Sequence, residues 1–131
     1  MRVAEYLVPR AAGDASDAEC TEITFGPGQG GSVADNVGRW VRLFGPLAGS
    51  PSNVARQVRG MNVTRVEVAG TYHPMMMPGM PSEPGGQSGS RLIGAIVEAP
   101  SGLWFFKLTG PDATVRGAAV EFDGLVDSVR P

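Results

Sequence analysis

The chain reads as an α+β domain: a central antiparallel β-sheet with helices on both faces. Three observations lead there. Short runs of alternating apolar and polar residues recur along the chain, in a composition rich in glycine (19) and proline (11). Two segments carry apolar stripes at helical spacing, one mid-chain and one C-terminal. Leu103-Trp104-Phe105-Phe106 is apolar in both alternating sets, as an inner strand covered above and below must be.

Each element follows from local pattern. Residues 2–8 alternate like a strand and end at Pro9, which has no N–H to donate to a ladder. A polar turn, Gly13 to Asp17, leads into a second strand over 19–25. There Thr21, Ile23 and Phe25 share one face, and Cys20, Glu22 and Thr24 the other. Two such runs around a Gly/Asp/Ser turn predict an antiparallel pair. Ser32, with Asp35 three residues on, has the spacing of a helix N-cap. Val33, Val37, Trp40, Val41 and Phe44 then form one helical stripe, and Gly45-Pro46 ends it. Residues 54–58 fit a strand or a helical turn equally well. Residues 61–72 alternate, with Val66 and Val68 opposed to Arg65 and Glu67.

Residues 74–90 show no periodicity and predict a mobile loop rich in Met, Pro and Gly. Strands over 91–98 and 103–109 follow, joined as a hairpin by Pro100-Ser101-Gly102. Asp112 opens a last helix with Val115, Ala118, Ala119, Phe122, Leu125, Val126 and Val129 on one stripe. Asp123 and Asp127 fall on its outer side, a solvated pattern. No internal repeat is present, and 131 residues suit one domain over 1–131.

Composition narrows the function classes. A net charge of −2 without a basic stripe argues against a dedicated nucleic-acid binder. No run approaches the roughly 20 apolar residues of a membrane-spanning helix. Cys20 is the sole cysteine, so no disulfide can form within the chain. The first residues show no charged, apolar and small-residue sequence of a secretory signal. Read literally, that favours the cytoplasm, although a processed chain would begin in the same way.

The ordering of elements and several strings resemble the PsbP/Mog1-like domain group. They are Phe25-Gly26-Pro27-Gly28-Gln29-Gly30-Gly31-Ser32-Val33, then Asn36 with Arg39-Trp40, Gly70-Thr71-Tyr72, Gly94 to Glu98, and Phe105 to Pro111. The resemblance spans nearly the whole chain, but its motifs are structural glycines and core aromatics. Members of this group usually carry a Trp-bearing segment ahead of what is here the first strand, and its absence fits a processed chain. The resemblance implies a non-enzymatic accessory subunit without cofactor, docking on a larger assembly. In the PsbP branch the assembly is a photosynthetic membrane complex on its lumenal side, and in the Mog1 branch a soluble GTPase. A periplasmic location, with a membrane-bound photosynthetic or electron-transfer complex as partner, is the corresponding expectation.

Two segments carry candidate chemistry. Gly26 to Gly31 matches G-x-G-x-x-G between a strand and a helix, so N–H groups at Gly28, Gly30, Gly31 and Ser32 are candidates for holding an anion. The flanking strands read as antiparallel, and neither a parallel βαβ unit nor a P-loop lysine accompanies the motif. A turn with an N-cap is therefore the preferred reading. His73, Met75, Met76, Met77 and Met80 gather the only histidine and four of six methionines in eight residues. Methionine adapts to irregular partner surfaces, which makes these five the expected protein contact. Thioethers and imidazole also suit Cu(I), so copper handling by His73, Met75, Met77 and Met80, with Met76 alongside, is the alternative. Nucleophilic catalysis needs a base beside a Ser or Cys, and nothing in the sequence provides one.

Overall fold

The computed structural model describes residues 2–14, 16–73 and 87–130. Among them seven strands form one sheet: β1 (Arg2–Val8), β2 (Ala18–Phe25), β3 (Phe44–Leu47), β4 (Ser52–Val58), β5 (Met61–Tyr72), β6 (Gln87–Ala99) and β7 (Gly102–Pro111). The helices are α1 (Val33–Val41), α2 (Asp112–Gly117) and α3 (Ala119–Asp127). The strand order is β1-β2-β7-β6-β5, after which β3 and β4 each pair with part of β5; every pairing is antiparallel.

Alternation along each strand divides the interior into two cores on opposite faces. Val63, Ile93, Ala95, Val97, Phe106 and Leu108 meet Val115, Ala118, Phe122 and Val126 of α2 and α3. Val66, Val68, Leu92, Ile96 and Phe105 meet Trp40 of α1 and Phe44. The expected split of β7 is present. Trp104 and Phe106 stack at 6.2 Å on the α2/α3 face, while Phe105 lies edge-on to Phe25 at 5.4 Å and to Trp40 at 6.2 Å on the other. Trp40 reaches the sheet because Gly94 has no side chain; a Cβ there would lie 2.4 Å from the indole.

Several elements differ from the sequence reading. α1 stops at Val41, and Phe44 belongs to β3, where it pairs with Tyr72 and still enters the α1 core. Pro46 fits there because an edge strand leaves one side of its backbone unpaired. Residues 52–58 are a strand, joined to β5 by Arg59 and Gly60, both at positive φ (50° and 79°) as a two-residue hairpin turn requires. Residues 87–90, expected in the loop, belong to β6; Gln87 pairs with Tyr72 and Ser90 with Gly70, through backbone groups that a polar sequence does not announce. Residues 74–86 lie outside the described residues.

The C-terminal stripe is intact, but its helix breaks at Ala118 (φ −101°). Asp123 and Asp127 are not simply solvated. Arg65 shares a sheet face with Met61 and Val63, under α3, and donates to Asp123 at 2.9 Å. Arg56 pairs with Asp127. Arg65 also pairs with Glu67 (2.8 Å), and Arg91 bridges Glu67 and Asp112 (2.6 Å to the latter). A chain of ions thus ties both C-terminal helices to the strands beneath them.

Candidate functional site

The helices pack most closely over the β5–β6–β7 part of the sheet, and β1 with β2 forms a wing at one edge whose inner strand β2 still reaches both cores through Ala18, Cys20, Ile23 and Phe25. On edge strand β1, Tyr6 is 48% exposed and Leu7 70%. Successive residues of a strand point to opposite faces, so the wing shows an apolar side chain on each.

Each face of this half of the sheet has a hollow. On the α1 side, a cavity of about 250 Å³ runs over Ile23, Phe25 and Phe105 beneath Trp40, with Arg39 and Lys107 also lining it. Beside α3, a groove of about 150 Å³ lies between Tyr6, Val8, Cys20 and Leu108 of the sheet and Phe122 and Leu125 of the helix, with Glu121 in its wall.

Glu22 occupies the neighbouring row on that face. The register places Ala4, Glu22 and Phe106 side by side, and Tyr6, Cys20 and Leu108 form the next same-face row. Glu22 is only 8% exposed. Its side chain makes no hydrogen bond or ion pair among the described residues, its carboxylate keeps contact with solvent, and partial burial pushes the carboxyl above the usual range. Burial, with the Glu22 charge adding to it, also pushes the Cys20 thiol up to about 11. An inert thiol follows, since the thiolate is the nucleophile.

The residues singled out in the sequence fall elsewhere. Ser32 is the N-cap of α1, its Oγ accepting the Asp35 N–H at 3.0 Å. Gly28, Gly30 and Gly31 all have positive φ. Asn36 is buried and folds back, its Nδ2 donating to the carbonyls of Gly30 and Ser32 at 2.8 Å each. His73 donates its backbone N–H to Leu43 O (2.7 Å), and its Nε2 lies 2.8 Å from Gly45 O. Met75, Met76, Met77 and Met80 lie outside the described residues. The glycine loop follows the Phe25 end of β2, whereas His73 follows the Tyr72 end of β5, so the strand registers hold them at opposite ends of the sheet.

Glu22 was not singled out as a site residue from the sequence. The signal was there, in a carboxylate alternating onto the same strand face as Cys20.

The chain matches no known protein family and no curated protein. It is similar in fold to the crystal structure of PA94 from Pseudomonas aeruginosa, a protein of unknown function suggested to be a regulator. The TM-score is 0.60 at 12% identity, over 98% of this chain and 81% of that one. At that identity the likeness concerns the fold alone.

Proposed function

We propose that this chain is a non-enzymatic protein-interaction domain, an accessory unit that docks on a larger assembly through its β1–β2 wing. The observation that carries the reading is the edge strand β1 with Tyr6 and Leu7 exposed on opposite faces. An edge strand presents unpaired backbone groups, and folded proteins ordinarily blunt such edges with charge or cover. Apolar side chains at such an edge suit addition of a partner segment, in which main-chain bonds supply affinity and alternate side chains specificity. Two further features support it. The Cys20 thiol is buried and unreactive, and the His73 ring is engaged with the Gly45 carbonyl. The resemblance of the glycine and aromatic strings to PsbP/Mog1-like domains points to the same kind of role.

The test is affinity purification from the native source under gentle solubilisation, comparing wild type with Tyr6→Lys/Leu7→Lys. A defined complex that co-purifies with the wild type and is lost from the folded double variant supports the reading. Equal recovery by both would remove the wing from the interface.

A further inference from the structure

Beyond the docking wing, we infer that the cavity on the α1 side binds a small aryl carboxylate, a ring carrying a short acidic arm, with Arg39 and Thr21 as its polar contacts. The cavity has two unlike ends. The strand register sets Ile23 beside Phe105 and, in the next same-face row, Thr21 beside Lys107. Such rows lie about 7 Å apart along a strand. At the Ile23 end, Phe25 and Trp40 both stand edge-on to Phe105, and Trp40 is seated against Gly94. Aromatic rings favour edge and offset contacts, so a ligand ring meets suitable partners there. A volume of about 250 Å³ falls below the roughly 300–1,000 Å³ of drug-sized sites, which suits one ring with a short arm.

The other end is polar and positive. Thr21 is 5% exposed, and its hydroxyl makes no hydrogen bond among the described residues while keeping contact with solvent where it lines the cavity. It offers a donor to a ligand oxygen. Arg39 stands exposed at the cavity rim, its Nη2 donating to Asn36 Oδ1 at 2.6 Å. Asn36 is buried and held by the carbonyls of Gly30 and Ser32, so a fixed neutral amide positions the guanidinium. Arg56, Arg65 and Arg91 are instead paired with carboxylates of the chain. Among the described residues no carboxylate lines the cavity. Lys107 and Tyr72 also border a neighbouring hollow that holds Asp17 and Glu19, so those acids lie outside it. A guanidinium matches a carboxylate through two parallel bonds, and a neutral ligand of the same shape leaves that match unmade.

The experiment uses the full chain, isotopically labelled for NMR, titrated with hydrocinnamate and with its neutral amide, hydrocinnamamide. Expected is saturable binding of hydrocinnamate about tenfold tighter than the amide, the size of one charge-assisted contact. Shifts should centre on Thr21, Ile23, Trp40 and Phe105. Arg39→Gln should bring hydrocinnamate to the level of the amide, and Arg39→Lys should keep part of the preference. Arg42→Gln, at the C-cap of the same helix but outside the cavity lining, should keep all of it. Thr21→Val should weaken hydrocinnamate by about three- to tenfold. No saturable binding, equal binding of the two probes, or a preference undiminished in Arg39→Gln would overturn the inference. So would tighter binding of an acetylated tetrapeptide ending in phenylalanine, since the C-terminus of a protein partner would then be the occupant. Tyr6→Lys/Leu7→Lys should bind hydrocinnamate as wild type does, which keeps this site and the docking wing separately testable.

Discussion

Asp14, in the turn between β1 and β2, caps a helix formed from the other end of the chain: its carboxylate accepts the Thr114 backbone N–H at 3.0 Å and the Thr114 hydroxyl as well. The same hydroxyl accepts the Ala11 N–H at 2.9 Å. α2 has no side-chain cap from its own preceding residue, Pro111. Its first turn is satisfied by a distant loop, which fixes that loop against the helix.

Asp14→Ala should therefore lower stability by about 1 kcal/mol, the usual worth of a capping oxygen. Asp14→Asn should retain most of it, because asparagine caps comparably. Urea denaturation of the three proteins checks this, and an unchanged midpoint for Asp14→Ala would show that the cap carries no weight.

Trp40 and Gly94 form a pair in which one residue exists for the other. Gly94→Ala forces the indole away from the sheet and should cost about 1–3 kcal/mol. Trp40→Ala should cost about 3–5 kcal/mol through loss of core packing. In the double variant the alanine methyl has room, so the combined loss should be clearly less than the sum, as measured by a double-mutant cycle.

The Cys20 thiol, buried and held near a pKa of about 11, should not react with a disulfide reagent at pH 8 in the folded chain. It should react at once in denaturant. Rapid labelling under native conditions would contradict its place in the core.

Glu22 gives a pH signature of definite sign. Its folded pKa is raised by burial, so the folded state binds the proton more tightly than the unfolded chain. The stabilising contribution is full below the unfolded pKa and is lost as pH rises through the folded value. Glu22→Gln removes that loss, and should melt higher than wild type at pH 7, with the gap closing as pH falls below the unfolded carboxylate range. Scanning calorimetry across pH 3.5–7.5 (about four pH units, spanning the ordinary carboxylate range) checks the convergence; a constant gap would place the effect in packing instead.

What the residues determine locally was legible in the sequence. The period of two in β1, β2, β5 and β7, the Ser32–Asp35 cap, the Pro100–Gly102 hairpin and the two-sided apolar character of Leu103 to Phe106 all follow from sterics and burial over a few residues. That is enough to require a sheet with helices on both faces. What depends on distant partners was not. Phe44 and residues 87–90 became strand because an edge of β5 was available to pair with them, and pairing through backbone groups leaves no mark in side-chain pattern. Asp123 looked solvated until β5 brought Arg65 beneath it. Glu22 looked like any carboxylate of an alternating strand. Only the placement of β1 and β7 on either side left it 8% exposed. Local sequence sets which face a side chain takes, whereas its degree of burial and its charge partner are set by chain segments far away in sequence.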